Sequence, residues 1–479
     1  MTIAARTRLL LLAVLCAALA LSLSATPVTA ASTPTATAAK KKRGHKRRAT
    51  KRDLDGDGIP NTRDRDIDGD GKPNSRDRDI DGDGRPNSRD RDIDGDGKPN
   101  VRDRDMDGDR VPNARDRDMD ADGTLNIRDN DPDGDGKPGI ASGVLPPPPP
   151  PVKQARTFFG VVGGAHHSAE IAATGAGAVR LIFSWAGAEP TPGNFDFSAI
   201  DGQVTASAEQ GLTVLPLLFE APSFRSSAPA QGAERGWYPP SSNADFAAFA
   251  AAAARRYGPG GSFWQRHPEL PQRPIRAWQV WNEPNLPVYW RPAPNAAHYV
   301  EMLRAVGTAI EGVDPDAEIV TAGVPDSGTG VPLADYLAGM YRAGGKGAFD
   351  TLASHPYATT PEGVGENLAI VRALLDRHGD HGANLRATEF GWATSGPAGA
   401  FTVGEQAQAT LIRRTLERLT GEASRLRLRG VAYYNLADEP LAGSFRDFWG
   451  LHAGLLDTSG RRKPGFHAFA DAARALAVE

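Results

Sequence analysis

The sequence predicts an α/β protein whose main part is a (β/α)8 TIM barrel, preceded by an irregular repeat array. Three observations lead to this prediction. All 34 aromatic residues (17 Phe, 9 Tyr and 8 Trp) lie at or after Phe158, a 13-residue unit repeats from Asp53, and apolar runs alternate with amphipathic segments after residue 157. Because the first third lacks aromatic side chains, we do not expect it to build an ordinary hydrophobic core. The prediction is therefore one globular domain of about 320 residues behind a segment of a different kind.

Residues 1–30 are typical of a secretory signal. Arg6 and Arg8 form a charged start, residues 9–23 form an apolar run, and residues 28–30 are small enough for cleavage. The apolar run is shorter than the ~20 residues that a spanning helix needs. We therefore expect a cleaved signal, with an uncleaved anchor as the alternative. No later segment is long enough to span a membrane, which predicts a secreted or cell-surface protein.

The remaining N-terminal features limit the chemistry further. The only cysteine, Cys16, lies inside the signal, which excludes a disulfide framework, a cysteine zinc site and a thiol nucleophile in the mature chain. Residues 31–52 form a basic linker with nine Lys or Arg between positions 40 and 52. This stretch is either a docking site for an anionic cell-envelope polymer or membrane surface, or simply a solvated linker.

The formal net charge of the whole chain, −4, neither favours nor excludes nucleic acid as a partner.

Residues 53–139 repeat every 13 residues, and residues 66–78 give a full unit, DIDGDGKPNSRDR. Oxygen-bearing side chains at positions 1, 3, 5, 9 and 12 would surround the position-7 carbonyl, and Gly at position 6 permits a sharp turn. This is the ligand register of an EF-hand loop with Asp in place of Glu at position 12. Hard oxygen ligands without imidazole or thiolate favour Ca²⁺. The predicted ligands of the first four units are Asp53, Asp55, Asp57, Asn61, Asp64, Asp66, Asp68, Asp70, Asn74, Asp77, Asp79, Asp81, Asp83, Asn87, Asp90, Asp92, Asp94, Asp96, Asn100 and Asp103.

The tandem array resembles thrombospondin type 3 repeats, which wrap their chain around calcium ions in place of an apolar core. It differs from that family in lacking cysteines and in having Asn at position 9. Repeat five has Arg110 at a glycine position. Repeat seven has Gly139 and Ser142 at positions 9 and 12, so we expect repeat seven to close poorly around an ion. A unit such as 66–78 has four Asp against three basic residues, and one calcium would change its charge from −1 to +1. We therefore predict a metal-dependent fold.

Two features complete the prediction for the region before the barrel. The Asp and Arg residues of the repeats interleave and no aromatic side chain is present for base stacking, which argues against nucleic acid as a partner. Residues 140–156 form a Pro-rich linker, with six consecutive prolines from 146 to 151. Such a run favours a semi-rigid polyproline II spacer, which implies that the array and the following domain have separate functions.

Residues 157–479 alternate strand-like and helix-like segments. Eight strand–helix units over about 320 residues fit a (β/α)8 barrel better than a doubly wound sheet. Residues 161–165 lack the G-x-G-x-x-G spacing, so a nucleotide-binding domain is the weaker alternative. The predicted strands are 158–162, 179–185, 213–219, 276–281, 318–322, 351–355, 386–390 and 431–435, and the predicted helices include 245–257, 296–311, 333–343, 366–378 and 404–419.

Active sites of such barrels lie where the strands end. The fourth predicted strand leads into WNEP, with Glu283, and the seventh leads into TEFGW, with Glu389. These strands lie three apart in an eight-membered ring, so the two glutamates are expected to face each other across the barrel mouth. Paired carboxylates are what glycoside hydrolysis needs, because one protonates the leaving oxygen and the other attacks the anomeric carbon. A single glutamate at a strand end is usually only solvated, but two in Trp-containing turns favour a site.

The two motifs resemble the acid/base and nucleophile motifs of clan A retaining glycoside hydrolases, with families 5 and 39 the most similar. Residues 179–193 resemble the second strand of these enzymes and the loop after it, and the SHPY segment at 354–357 resembles the end of their sixth strand. The resemblance extends over essentially all of 157–479. It implies an enzyme that cleaves β-glycosidic bonds in an oligo- or polysaccharide by double displacement. Glu283 would be the acid/base, Glu389 the nucleophile, and no cofactor would be needed for catalysis.

The resemblance also implies a set of residues around the substrate. Arg180 would lower the pKa of Glu389. Asn282 would hydrogen-bond the sugar 2-hydroxyl, Tyr357 would orient Glu389, and His355 would contact either the substrate or the acid/base. The predicted substrate-binding residues are Arg180, Asn282, His355, Tyr357, Trp392 and Trp449.

One departure from the family concerns the eighth strand, which commonly ends in a Trp below the cleaved sugar. Here residues 433–436 are YYNL, so either Trp449 leans in from the following loop or the platform is absent. His166 and His167 either line an outer subsite or lie on the surface. The alternative function is a cell-surface structural or adhesion protein whose barrel binds carbohydrate but is catalytically weak. A carboxyl separation of about 5–5.5 Å would favour the retaining enzyme, and one far beyond 9.5 Å would oppose it.

Overall fold

A computed structural model divides the chain into two compact units, one containing the repeat array and the other containing the barrel. The predicted signal, the basic linker, residues 140–150 of the Pro-rich linker, Gly139 and Ser142 lie outside the described residues. No helix in the described ranges is long and apolar enough to cross a membrane. The described residues are 53–113, 116, 118–124, 126, 131, 133–134, 151–229, 237–441 and 447–478.

Each of the first four repeats folds into the same loop. Pro at position 8 precedes a short 3-10 turn, which spans Asn61–Arg63, Asn74–Arg76, Asn87–Arg89 and Asn100–Arg102 in successive repeats. Positions 4 and 6 have positive φ, as in Gly69 (73°) and Gly71 (100°), which only glycine adopts without strain. Arg110 occupies this conformation in repeat five, with φ of 79°. The repeating glycines are therefore required by the backbone of the loop.

The array has a narrow aliphatic core, which corrects the expectation that metal alone takes the place of a core. The core consists of the position-2 side chains of successive repeats, with Leu54 packed against it and Ala121 added from repeat six. A strict 13-residue period brings the same side chain to the same place in every turn of the coil, so one apolar residue per repeat is enough to form a continuous column. The position-2 residues of this column are Ile67, Ile80, Ile93, Met106 and Met119.

The position-9 asparagines hold the backbone of the coil together. Oδ1 of Asn74 accepts a hydrogen bond from the backbone N–H of Ile67 (3.1 Å), and Nδ2 donates to the carbonyls of Asp64 (3.1 Å) and Gly108 (3.4 Å). Gly108 belongs to the repeat three units further on, so the amide joins separate turns. Buried amides need such partners at both ends. Asn61, Asn74, Asn87 and Asn100 all bond the backbone in this way, which argues against the prediction that they ligate calcium.

The predicted (β/α)8 barrel is confirmed. The eight parallel strands are β1 (Phe159–Val162), β2 (Ala178–Ser184), β3 (Thr213–Phe219), β4 (Ala277–Val280), β5 (Glu318–Val320), β6 (Thr351–His355), β7 (Asn384–Phe390) and β8 (Leu428–Tyr433). They pair in the order β5-β4-β3-β2-β1-β8-β7-β6, and pairing of Val320 with Thr351 joins β5 to β6 and closes the ring. A two-residue strand, Val324–Pro325, extends the pairing along β6.

One helix follows each strand and covers the outside of the ring. Two shorter helices, Trp185–Ala188 and Ser262–Arg266, are inserted between these units. The first, second and eighth helices were not among the ranges named from the sequence. The helices are α1 (Ser168–Ala173), α2 (Ser198–Glu209), α3 (Asn243–Tyr257), α4 (Ala296–Glu311), α5 (Leu333–Arg342), α6 (Pro361–Arg377), α7 (Glu405–Leu426) and α8 (Pro464–Leu476).

Helix α6 begins five residues before the predicted start at 366. Thr360 caps it, because its side-chain oxygen accepts a hydrogen bond from the N–H of Gly363 (3.1 Å), and Pro361 occupies the first turn. A capping threonine followed by proline is a common helix start. The cap fixes the chain directly after β6, which is the strand that carries His355 into the barrel mouth.

Candidate active site

The turn after β4 directs Glu283 into the mouth of the barrel. Trp281 and Glu283 have positive φ values of 72° and 39°, a conformation that non-glycine residues adopt only where the surroundings enforce it. The surroundings do so here, because the buried indole of Trp281 donates to the carbonyl of Tyr289 (2.9 Å) and the N–H of Glu283 donates to the carbonyl of Gly323 (3.2 Å). Packing and hydrogen bonds therefore fix the direction of the Glu283 side chain.

Glu389 lies near the end of β7 and is bound from two sides. Nη1 of Arg180, from β2, donates to its Oε1 (2.6 Å), and the hydroxyl of Tyr357 donates to its Oε2 (2.8 Å). The side chains of Arg180 and Glu389 are 2% and 3% exposed. A buried ion pair of this kind is stable only when further hydrogen bonds satisfy its members. The predicted proximity of Arg180 and Tyr357 to Glu389 is therefore present.

Each nitrogen of the buried Arg180 guanidinium donates to a protein group. Nε donates to Oε1 of Gln279 (2.7 Å) and Nη2 donates to Oδ1 of Asn282 (3.0 Å). Gln279 in turn donates to the carbonyl of Thr321 (3.2 Å). The assignment of Arg180 to substrate binding is therefore corrected: it holds Glu389 and Asn282 in place. Gln279 was missed in the sequence, where the only signal was a polar residue in the middle of a short apolar strand.

His355 lies close to both glutamates. Its Nδ1 lies 2.7 Å from Oε1 of Glu283 and 3.6 Å from Oε2 of Glu389, and its side chain is fully buried. Of the two contacts expected for His355, it makes the one with Glu283, so its assignment to the substrate is corrected. Burial, followed by the charge of Arg180, lowers the pKa of His355 well below its usual value, which keeps the ring neutral. Nε2 has no hydrogen-bond partner among the described residues, so we assign the ring proton to Nδ1.

The two carboxyl groups differ in how strongly they hold a proton. Burial raises the pKa of Glu283 well above its usual value, and the nearby charge of Glu389 raises it further. Burial also raises the pKa of Glu389, whereas Arg180 and the hydrogen bond from Tyr357 lower it. Contrary to expectation, burial outweighs Arg180 at Glu389. Because the stabilising contacts act on Glu389, we place the shared proton on Glu283 and the negative charge on Glu389.

The separation of the two carboxyl groups is short. One oxygen of Glu283, Nδ1 of His355 and one oxygen of Glu389 all lie within 4.8 Å of one another. Such a triad could in principle hold a metal ion. However, the Arg180 guanidinium lies 2.6 Å from Glu389 and already supplies the compensating positive charge, which disfavours a divalent cation at the same place. The arrangement therefore suits proton transfer and nucleophilic attack better than metal binding.

The two predicted sugar-binding tryptophans have different positions. Trp392 is fully buried, and its indole donates to the carbonyl of Ala358 (2.9 Å), so its assignment to substrate binding is corrected. Trp449 is half-buried, with its ring 5.1 Å from that of Tyr357 and stacked on Phe401 at 4.9 Å. Trp449 therefore lies beside Tyr357, the residue that binds Glu389, and its role as the sugar platform stays a prediction.

A cavity of about 610 Å³ opens beside Arg180 and is lined by residues of β1, β2, β3 and α2 and by the segments that follow β1 and β8. His166, Asn435 and Glu439 contribute polar groups to an otherwise mainly apolar wall. Oδ1 of Asn435 has no hydrogen-bond partner in the part of the chain that is described. Burial raises the pKa of Glu439 to about 7. The cavity therefore offers a ligand the Oδ1 acceptor of Asn435 and the ionisable carboxyl group of Glu439, and His166 also lines it.

Solved structures resemble this chain, although no protein-family model and no curated protein sequence matches it. They include a family 39 glycoside hydrolase from Bacteroides cellulosilyticus WH2 (20% identity, TM-score 0.50, 70% of this chain and 66% of that one). Another is a monomeric β-xylosidase from Caulobacter crescentus CB15 (18% identity, TM-score 0.50, 67% of this chain and 69% of that one). A third is a glucosidase from Croceicoccus marinus (16% identity, TM-score 0.52, 68% of this chain and 69% of that one). What they share is the fold. The chain spans just under two thirds of the first structure, and at these identities the likeness establishes the barrel architecture alone.

Proposed function

We propose that the barrel is a retaining glycoside hydrolase that cleaves β-glycosidic bonds in an oligo- or polysaccharide. The observation that carries this proposal is the pair Glu283 and Glu389, whose carboxyl oxygens lie within 4.8 Å of each other. Retaining glycosidases have carboxyl groups about 5–5.5 Å apart, whereas inverting enzymes need ~6.5–9.5 Å to admit a water molecule between the general base and the sugar. The fold shared with glycoside hydrolase structures supports the same activity.

The contacts of the two glutamates support one role for each. Ionised Glu389 attacks the anomeric carbon while Glu283 gives its proton to the leaving oxygen, which forms a glycosyl-enzyme ester and releases the alcohol. Glu283, now ionised, takes a proton from water, and the resulting hydroxide displaces Glu389 from the sugar. Arg180 and Tyr357 stabilise the charge on Glu389, and the N–H of His355 holds Glu283 in both protonation states.

Replacement of the two glutamates tests this function on a panel of aryl β-glycosides and polysaccharides. Glu389→Ala should abolish turnover of every substrate. Glu283→Ala should spare substrates with good leaving groups, and azide should restore its second step, because azide needs no general base. Glu366→Gln, a largely buried glutamate on α6, serves as the control for removing such a carboxylate. Turnover that survives Glu389→Ala would refute the assignment, and binding without turnover by the native chain would favour the adhesion alternative.

We propose further that each complete loop of the array binds calcium through its aspartates. Carboxyl oxygens at positions 1, 3 and 5 converge within 4.8 Å in each of the first four repeats. In repeat four, burial, and after it repulsion from Asp96 and Asp103, raises the pKa of Asp94 to about 8, so this carboxyl group needs a nearby cation to be ionised at neutral pH. Nζ of Lys72 lies 2.6 Å from Asp70 and 3.4 Å from Asp77, which supports attraction of positive charge to this cluster. Oδ1 of Asp53 is buried without a hydrogen-bond partner among the described residues.

We propose that the chain is secreted or attached to the cell surface. Residues 1–30 have the features of a secretory signal, and residues 40–52 would contact an anionic cell-envelope polymer. Calcium loops of extracellular modules work at ~0.1–1 mM calcium, which agrees with an array outside the cell. N-terminal sequencing of the exported protein tests this, with a start near residue 31 expected and a start at Met1 contradicting cleavage.

A further inference from the structure

The first four repeats carry pairs of exposed arginines that form no ion pair with any described residue. Position 11 ends the 3-10 turn and position 13 follows it, while the aspartate between them at position 12 is buried. The extended backbone at position 12, with φ of −98° and ψ of 134° at Asp77, directs neighbouring side chains to opposite sides. The exposed pairs in the first four repeats are Arg63 with Arg65, Arg76 with Arg78, Arg89 with Arg91, and Arg102 with Arg104.

The basic residues at position 7 behave differently. Nζ of Lys72 and Lys98 lie 2.6 Å and 2.5 Å from Asp70 and Asp96, and Arg85 lies 3.9 Å from Asp83. Across the described part of the array, the ion pairs are made by these position-7 residues and not by the eight arginines. The position-5 aspartates therefore pair with the basic residue of their own repeat. The arginines at positions 11 and 13 are exposed to solvent.

We propose that the calcium-loaded array binds an acidic polysaccharide through the exposed arginines at positions 11 and 13. The inference rests on the proposed calcium sites, because repeats two to four each have four Asp against three basic residues, and one calcium changes the charge from −1 to +1. With the carboxylates directed to the ion, what remains at the surface is a cationic pair that recurs every 13 residues along the coil. A regularly charged polymer matches this recurrence.

A polysaccharide fits this surface better than nucleic acid or a membrane. No aromatic side chain lies between Asp53 and Gly134, so the array has no platform on which bases could stack. Its exposed large apolar side chains among the described residues are only Ile59 and Val101, too few to insert into a lipid surface. Each guanidinium can bind an acidic group such as a carboxylate through two hydrogen bonds at once. The partner is therefore a chain of acidic sugars, held while the barrel acts on carbohydrate.

The test compares binding of the full chain to dextran sulfate and to uncharged dextran, in calcium and in chelator. The arginine variant carries Arg76→Gln, Arg89→Gln and Arg102→Gln, one change in each of three repeats. The control variant carries Arg413→Gln, Arg461→Gln and Arg462→Gln. These are three exposed arginines on the barrel that form ion pairs, so the change in net charge is equal. Residues 40–52 are present in all samples, and only differences between them are interpreted.

We expect the native chain to bind dextran sulfate in calcium, and the arginine variant to bind it roughly tenfold more weakly or worse with a smaller salt dependence. The control variant should bind like the native chain. Equal loss in both variants, undiminished binding in chelator, binding to uncharged dextran, or stronger binding to duplex DNA would each overturn the proposal. Calorimetry of calcium binding in the same samples separates the failures. A chain that does not bind calcium refutes the calcium sites, whereas one that binds calcium but shows no effect of the arginines refutes only this inference.

Discussion

Nδ1 of His355 lies 2.7 Å from Oε1 of Glu283, and the opposite edge of the same ring packs directly on Gly323. The carbonyl of Gly323 also accepts the N–H of Glu283 (3.2 Å). One glycine thus sets the position of both the acid and the histidine that holds it. A side chain at this position would overlap the imidazole, and since the ring is buried it has no free space into which to move.

Gly323→Ala should therefore reduce turnover by about tenfold or more, although residue 323 does not touch the substrate. The methyl group displaces His355, which releases Glu283 from its fixed orientation. Activity on substrates with good leaving groups should fall less, because they depend less on the acid. Gly328→Ala is the matched control, since an added Cβ there meets open space. Equal activity of the two variants, both folded by circular dichroism, would contradict the positioning role.

Tyr357→Phe should move the acidic limb of the pH–activity profile to higher pH. The tyrosine hydroxyl donates to Glu389 and lowers its pKa, so its removal raises that pKa. Glu389 must be ionised to attack, and activity is then lost at a higher pH as the solution is acidified. The expected shift is roughly one pH unit, the value of one hydrogen bond to a charged group. Tyr336→Phe is the control, because its buried hydroxyl has no described hydrogen-bond partner, and an unmoved acidic limb in Tyr357→Phe would oppose the nucleophile assignment.

Arg110→Gly should stabilise the array. Arg110 has φ of 79° at a position where the preceding repeats have glycine, and relief of this strain is worth ~1 kcal/mol. Its side chain also donates to the carbonyl of Arg63, a contact that Arg110→Ala removes while leaving the strain. We expect the glycine variant to unfold at higher temperature than the alanine variant, measured on the full chain in calcium. The reverse order would show that backbone strain at this position is not limiting.

Asn87→Ala should destabilise the array and leave the number of bound calcium ions unchanged. The side chain accepts from the N–H of Ile80 (3.1 Å) and donates to the carbonyls of Asp77 (2.7 Å) and Ala121 (3.1 Å). Losing these buried bonds should cost roughly 2–4 kcal/mol of unfolding free energy. Ser88→Ala, at the next residue, is the control. If calorimetry shows one calcium fewer while stability is unchanged, the asparagine is a ligand after all.

In the barrel, the elements that depend on neighbouring residues were predicted more accurately than those that depend on contacts far apart in the sequence. The predicted strands at 213–219 and 351–355 have the observed bounds, because a buried parallel strand is a short apolar run that its own residues define. In a closed ring of eight strands, Glu283 follows the fourth strand and Glu389 lies near the end of the seventh, so the strand order alone places both at the mouth of the barrel. Helices α1 and α2 were not named from the sequence because α1 is short and α2 is only weakly amphipathic. Helix α8 is strongly amphipathic, and its pattern was present in the sequence.

The sequence by itself determined the 13-residue loop, the eight-stranded ring and the pair of glutamates, since each depends on period, order or residue type. Only the tertiary structure decided the contacts between distant positions. It showed that Trp392 is enclosed, that Gln279 fastens Arg180, and that His355 holds Glu283 across 72 residues of chain. In the array, it assigned the asparagines to the backbone and the position-2 residues to a core. A buried polar group must find its partner in three dimensions, and no spacing along the chain identifies that partner.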